Sequence, residues 1–171
     1  MTPHVAVDVR RALPEDAAAI VRLRDQAAQW LLSKGIRQWT PGEVTPEDVV
    51  GWMSGGRLYV AEIAGTMAGS VRLAWTDLEV WPGADEDAAY VQSLVRARLA
   101  SARGVGRLLL AHVEEVARGA GRTRTRLSCL HGNAPLERFY LAAGYNIVGV
   151  QEFDRPGWDP VTLLEKDLDV S

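Results

Sequence analysis

The stretch "ASARGVGRLLLAHVEEVARGAG", residues 100–121, places Gly104 and Gly106 directly ahead of an apolar helical run, with Arg103 and Arg107 flanking them. A helix start carries backbone N–H groups with no partner inside the helix and a partial positive charge, so it attracts anions. Glycine there clears room for a bulky phosphate and admits positive φ. Arginine adds charge-assisted hydrogen bonds. With "AYVQSLV" before it, the stretch reads as strand, glycine turn and helix, an arrangement suited to a pyrophosphate. Two phosphate patterns are excluded: G-x-x-x-x-G-K-[ST] is absent, and Leu109 stands where G-x-G-x-x-G needs its third glycine. On this stretch alone, a glycine-rich helix entry with surface arginines fits as well.

Working outward, "HVAVDVRRA" alternates valines from Val5 to Val9 and reads as a strand. Pro14, Glu15 and Asp16 open a helix that Ile20, Leu23, Ala27, Trp30 and Leu31 continue at helical spacing to Lys34-Gly35. Thr45-Pro46-Glu47-Asp48 resembles a capping box and opens a short helix through Trp52. "RLYVAEIAGTMAGSVRLAW" reads as a hairpin turning at Gly65. A polar loop around Pro82-Gly83 precedes "AYVQSLV". The glycine turn then leads a helix from about Gly104 to Arg118. "RTRLSCL" is a strand, and Asn133 caps a helix with Leu136, Phe139, Tyr140 and Ala143 on one face. "YNIVGVQEF" and "VTLLEKDL" are the last strands. The order β-α-α-β-β-β-α-β-α-β-β is that of an α/β fold, a mixed sheet covered by helices on both faces. No break in composition divides residues 1–171 into more than one domain.

Composition narrows the function. The formal charge of −3 supplies no basic field for nucleic acid. Cys129 is the lone cysteine, so no disulfide framework exists and a reducing, cytoplasmic setting is expected. "MTPHVAVDVRR" lacks the apolar core of a leader or anchor, and no run approaches the roughly 20 residues of a membrane span.

With these pieces in place, the chain resembles the GCN5-related N-acetyltransferase (GNAT) superfamily over nearly its whole length. The family's Arg/Gln-x-x-Gly-x-Gly/Ala signature reads here Ser101-Ala102-Arg103-Gly104-Val105-Gly106. Its second mark, an Asn, a tyrosine seven residues on, and Gly-Phe or Gly-Tyr, reads Asn133, Tyr140 and Gly144-Tyr145. Ser101 departs from the pattern and removes one side-chain contact near the pyrophosphate; Arg103 and Arg107 are placed to compensate.

The resemblance implies a mostly antiparallel sheet of about seven strands and acetyl-CoA as the acetyl donor to an amine. It implies that Leu94, Val95 and Arg96 pair their backbone with the pantetheine arm, and that a backbone N–H there polarises the thioester carbonyl. It gives the pyrophosphate to Ala102, Arg103, Gly104, Val105, Gly106 and Arg107. Asn133 contacts pantetheine, caps its helix, or does both. Tyr140 borders the cofactor and protonates the leaving thiolate, its alternative being a core aromatic.

A lysine-like amine, pKa about 10.4, needs about 4.6 kcal/mol to be neutral at pH 7. The base that takes its proton is not identifiable. Members that acetylate protein N-termini can carry a glutamate five residues before the Asn. Ser128 stands there and Gln92 lies on strand 4, leaving a water relay, Glu43 or Glu79. The expected acceptor is a small-molecule amine, with a protein or peptide amine, or a silent acyl-CoA-binding module, as alternatives. A homodimer is left open.

Remaining candidates are weaker. His112 sits in "HVEE", which is not H-E-x-x-H, so no metal site is expected. His131 borders the Asn133 cap as a loop residue or a cofactor neighbour. Trp39 and Trp75 line an acceptor pocket or pack in the core. Asp77, Glu79, Asp85, Glu86 and Asp87, with no lysine or arginine among residues 77–87, form a solvated loop or steer a cationic acceptor.

Overall fold

The computed structural model describes residues 5–169. Its elements are β1 (Val7–Arg11), α1 (Ala17–Ser33), α2 (Pro46–Gly55), β2 (Gly56–Ile63), β3 (Thr66–Ala74), β4 (Ala88–Arg96), α3 (Val105–Gly119), β5 (Arg124–Leu130), α4 (Ala134–Ala142), β6 (Asn146–Gln151) and β7 (Val161–Asp167). This is the expected order. The strands form one seven-stranded sheet in the order β1-β2-β3-β4-β5-β7-β6. β4 and β5 are parallel, whereas β1/β2, β5/β7 and β6/β7 are antiparallel, so the sheet is mixed. No helix among the described residues is long and apolar enough to cross a membrane.

Two compact units divide the chain. One comprises the residues up to Leu73 together with Ser93–Val113; the other comprises Ala74–Gln92 and the residues from Glu114 on. In the first unit, β2 shows why helices cover both faces. Successive strand side chains point to opposite sides. Leu58 and Val60 pack with Ala17 and Ile20 of α1 and Val49 of α2. Tyr59, between them, meets His112 of α3 edge to face at 4.6 Å. The contact covers His112, and burial pulls its pKa below the ordinary value.

Local chemistry sets the helix starts. Pro14–Asp16 is a 3₁₀ turn rather than the first turn of α1. Asp16 accepts from Leu13 N at 2.7 Å and from both terminal nitrogens of Arg10, which pins that turn to β1. The capping box at Thr45 forms as expected: Asp48 N donates to Thr45 Oγ1 (3.1 Å) and Thr45 N to Asp48 Oδ2 (2.9 Å). Trp30 is the exception on α1. Helical spacing placed it on the apolar stripe, yet it is 38% exposed, with the Arg98 guanidinium 3.7 Å above its ring. The large ring is served there by a cation at the surface rather than by the core.

In the second unit, Trp81, Ala88, Tyr90 and Leu163 form one apolar cluster. A polar knot lies beside the end of α4. Glu114 of α3, 4% exposed, accepts from Lys166 Nζ (2.8 Å) and from Tyr145 Oη (3.0 Å). Lys166 also donates to Ala143 O (2.9 Å), and Thr125 Oγ1 lies 2.9 Å from Tyr145 Oη. Every charged group in the knot therefore has a partner, the condition under which a buried pair is tolerated.

Candidate active site

The glycine turn belongs to the first unit. Ala97 N donates to Ala68 O at 2.8 Å where β4 ends, and Ala100–Ala102 forms a 3₁₀ turn. Leu108 N donates to Gly104 O at 3.1 Å as α3 begins. The N–H groups of Val105 and Gly106 lie ahead of that bond and have no acceptor in the helix. Gly104 has φ +86°, where side chains are strained, and a Cβ built there meets nothing within 4 Å. The space over the turn is open. Ala102 and Val105 are fully buried, so the turn is anchored by their side chains and offers only their backbone to a ligand. Arg103 and Arg107 are exposed at its rim.

Val95 behaves the same way. Its side chain packs with Leu23 and Ala27 of α1 and with Trp39, leaving its backbone as the part that a ligand can meet. Ser93, just before, has φ +51°; Ala64 is the other non-glycine residue with positive φ among those described. A left-handed residue within a strand bends it and resets the alternation of its side chains. β4 accordingly changes from a run of buried residues over 88–91 to partly exposed ones over 92–94.

Sequence reading missed Gly69. A Cβ there would fall 2.7 Å from Val105 Cγ1, 2.8 Å from Leu109 Cδ1 and 2.9 Å from Val95 O. β3 thus meets the first turn of α3 and the β4 backbone at one point, and only glycine fits. The available signal was a lone glycine inside the strand "TMAGSVRLA", which marks a close approach.

The second unit holds Asn133 and Tyr140. Asn133 is 4% exposed; its Oδ1 accepts from Leu136 N at 3.3 Å, so it does cap α4. Its Nδ2 is buried with no partner, which leaves a donor for a carbonyl such as an amide of the pantetheine arm. Tyr140 is 5% exposed, edge to face with Phe139 and Tyr145. Burial holds its phenol pKa well above the usual 10, with the Cys129 thiol adding to the effect. Cys129 itself is pushed up to about 12 by burial, then by the charge of Glu137, so it is no nucleophile near neutral pH.

The other candidates find structural employment. Thr162 Oγ1 donates to Glu137 Oε1 (2.8 Å), so His131 Nδ1, 3.0 Å away, is the donor to Thr162. Glu43 pairs with Arg24, and Trp39 packs in the α1 cluster, which is the core role weighed for it. Arg122 lies over Trp75 at 4.9 Å. Within the acidic run, Asp85 has cationic partners in space. Asp85 pairs with Arg124 (3.1 Å) and Arg126 (3.0 Å), and Arg122 reaches the carbonyl oxygens of Glu86 and Ala88.

Taken by itself, the first unit offers helix-start donors with flanking arginines of the kind that suit a pyrophosphate, and the second offers an orphaned Asn133 amide of the kind that suits a carbonyl. The comparisons with known proteins agree. A family model described as the Acetyltransferase (GNAT) family matches residues 23–145. The chain is 29% identical over 167 residues to a Bacillus subtilis (strain 168) protein named Uncharacterized N-acetyltransferase YesJ, spanning 92% of this chain and 88% of that one. A GNAT-family structure from Desulfovibrio desulfuricans superposes with a TM-score of 0.73 at 26% identity, over 96% of this chain and all of that one. The Salmonella typhimurium yncA structure, solved with its cofactor acetyl-CoA, gives a TM-score of 0.71 at 21% identity, covering 96% and 95% of the two chains, a likeness of fold.

Proposed function

We propose that this chain, which belongs to the GNAT family of acetyltransferases, carries an acetyl group to the primary amine of a small molecule. That it is an acetyltransferase dependent on acetyl-CoA follows from the family; the acceptor class is our reading. Ser128 supports it. A serine on β5 stands where relatives that act on protein N-termini can carry a glutamate, and serine cannot take a proton from an ammonium group near neutral pH. We also read residues 1–171 as one functional domain in the cytoplasm. The family model runs through both compact units, and the lone cysteine is buried and unpaired.

Acetyl-CoA, when bound, supplies the acetyl group as a thioester whose sulfur leaves as the amide forms. On our reading the N–H groups at the start of α3, with Arg103 and Arg107, bind its pyrophosphate. The backbone of Leu94, Val95 and Arg96 orients the pantetheine arm, and Asn133 Nδ2 donates to it. Tyr140 retains its proton across the neutral range, because its pKa is raised, and is the group that releases it to the thiolate.

Two measurements test this. Thiol release from acetyl-CoA with a panel of small amines, amino acids and N-terminal peptides should be fastest with a small amine; preference for the peptides would overturn the acceptor class. In a second experiment, R103E/R107E replaces two exposed phosphate ligands with carboxylates. Each charge-assisted bond is worth about 1.5–3 kcal/mol, so acetyl-CoA should bind at least about tenfold more weakly. Wild-type affinity in that variant would remove the pyrophosphate from this turn.

A further inference from the structure

Arg24 of α1 reaches three elements at once. Its NH1 donates to Ser93 Oγ at 2.8 Å and its NH2 to Glu43 Oε1 at 3.1 Å. Its guanidinium carbon lies 4.3 Å from the centre of the Trp39 ring. The side chain is 12% exposed, and Nε is buried with no hydrogen-bond partner. Burial pulls its pKa below the usual arginine value, although it stays charged. Holding a guanidinium this far from water is costly, and its carboxylate partner is itself 39% exposed. A surface ion pair would not need such burial. What the arrangement does gain is geometry, since one side chain joins α1, β4 and the connector of residues 34–45 at a single point.

The point it joins is the bent residue of β4. A serine at positive φ is strained, and its hydroxyl is held by Arg24. Two residues on, Val95 packs with Leu23, Ala27 and Trp39. The connector is tied to α1 a second time, because Gly42 N donates to Asp25 Oδ1 at 3.0 Å. We infer that Arg24 is a positioning residue for acetyl transfer: it clamps Ser93 in the left-handed conformation and so sets the direction in which the backbone of Leu94–Arg96 meets the cofactor. This rests on the assignment of those three residues to the pantetheine arm.

Two ways in which Arg24 could act are separable by substitution at Ser93. If it acts through the conformation of Ser93, glycine at position 93 makes the clamp dispensable, because glycine takes positive φ without strain. If it acts in any other way, glycine changes nothing. The test is calorimetric titration of acetyl-CoA, with no acceptor present, into wild type, R24Q, S93A, S93G and R24Q/S93G, each checked for native circular dichroism. R24Q and S93A should each bind about tenfold more weakly, within the reach of one strained residue. S93G and R24Q/S93G should return to within about threefold of wild type. Should R24Q fail to fold, S93A against S93G carries the same contrast. Wild-type binding by R24Q, or a loss that persists in R24Q/S93G, overturns the inference. If R103E/R107E loses acetyl-CoA while R24Q keeps it, the cofactor assignment stands and the clamp falls; if both bind as wild type, the assignment falls and takes the clamp with it.

Discussion

Tyr140 shows how much one buried hydroxyl can decide. Burial disfavours the phenolate, so the group holds its proton to a pH above its ordinary pKa near 10. Replacing it with phenylalanine removes the proton and little volume. Turnover of Y140F should fall on the order of 10²-fold while acetyl-CoA affinity stays near wild type, as expected for a group needed in the transition state. An equal rise in the acetyl-CoA dissociation constant would make Tyr140 a binding residue instead. The pH dependence follows with its sign. An acid must be protonated to act, and a raised pKa keeps it so through pH 9. The amine must be neutral, and a lysine-like amine becomes so only toward about pH 10.4. kcat/KM should therefore climb steadily from pH 6.5 to 9 with no alkaline downturn; a bell centred near neutrality would assign the acid to another group. The spacing from Asn133 is what singled out Tyr140 in the sequence. Arg24 was not singled out, because nothing in "VRLRDQAAQW" separates a buried guanidinium from the exposed Arg22 two residues earlier.

At the scale of elements, the close approach at Gly69 links three of them. G69A would drive a methyl group into Val105, Leu109 and the Val95 carbonyl. Overpacking of this kind costs about 1–3 kcal/mol. The atoms it displaces belong to the turn and strand assigned to the cofactor, so acetyl-CoA binding should weaken together with thermal stability. A variant that loses stability but binds acetyl-CoA normally would show that α3 and β4 accommodate the methyl without moving. Element order and type were legible, because proline, Thr45, the glycine turn at 104–106 and Asn133 marked the helix starts and short apolar runs marked the strands. The bend at Ser93 was not. Serine rarely takes positive φ, so a contact from α1, distant in sequence, determines what the strand does there. The 3₁₀ turn at Pro14–Asp16 was hidden for a more local reason: Arg10, on the strand just before it, holds Asp16.

At the scale of the whole molecule, several charges are committed to partners distant in sequence. The acids of residues 77–87 looked like a steering surface along the chain, yet in space Asp85 is committed to Arg124 and Arg126. Linear charge patterns do not reveal partners supplied from 39 or more positions away. The knot around Glu114 makes the same point with greater energetic consequence. K166M would leave a carboxylate buried beside Tyr145 with its cation gone, at a cost of about 3–5 kcal/mol. Thermal denaturation should show that loss, and E114Q/K166M should recover part of it because no buried charge is then stranded. Equal melting temperatures for K166M and wild type would mean that Glu114 does not depend on Lys166 as its partner. The division of the chain carries a further consequence, for synthesis. Neither compact unit is continuous in sequence: the first needs residues as late as Val113, and the second needs β7. A nascent chain that has released α1, α2, β2 and β3 therefore still lacks Val95, Val105 and Leu109. Until α3 has emerged from the ribosome, Gly69 faces water where it will later face Val105 and Leu109, and no single cut in the chain would release both units whole.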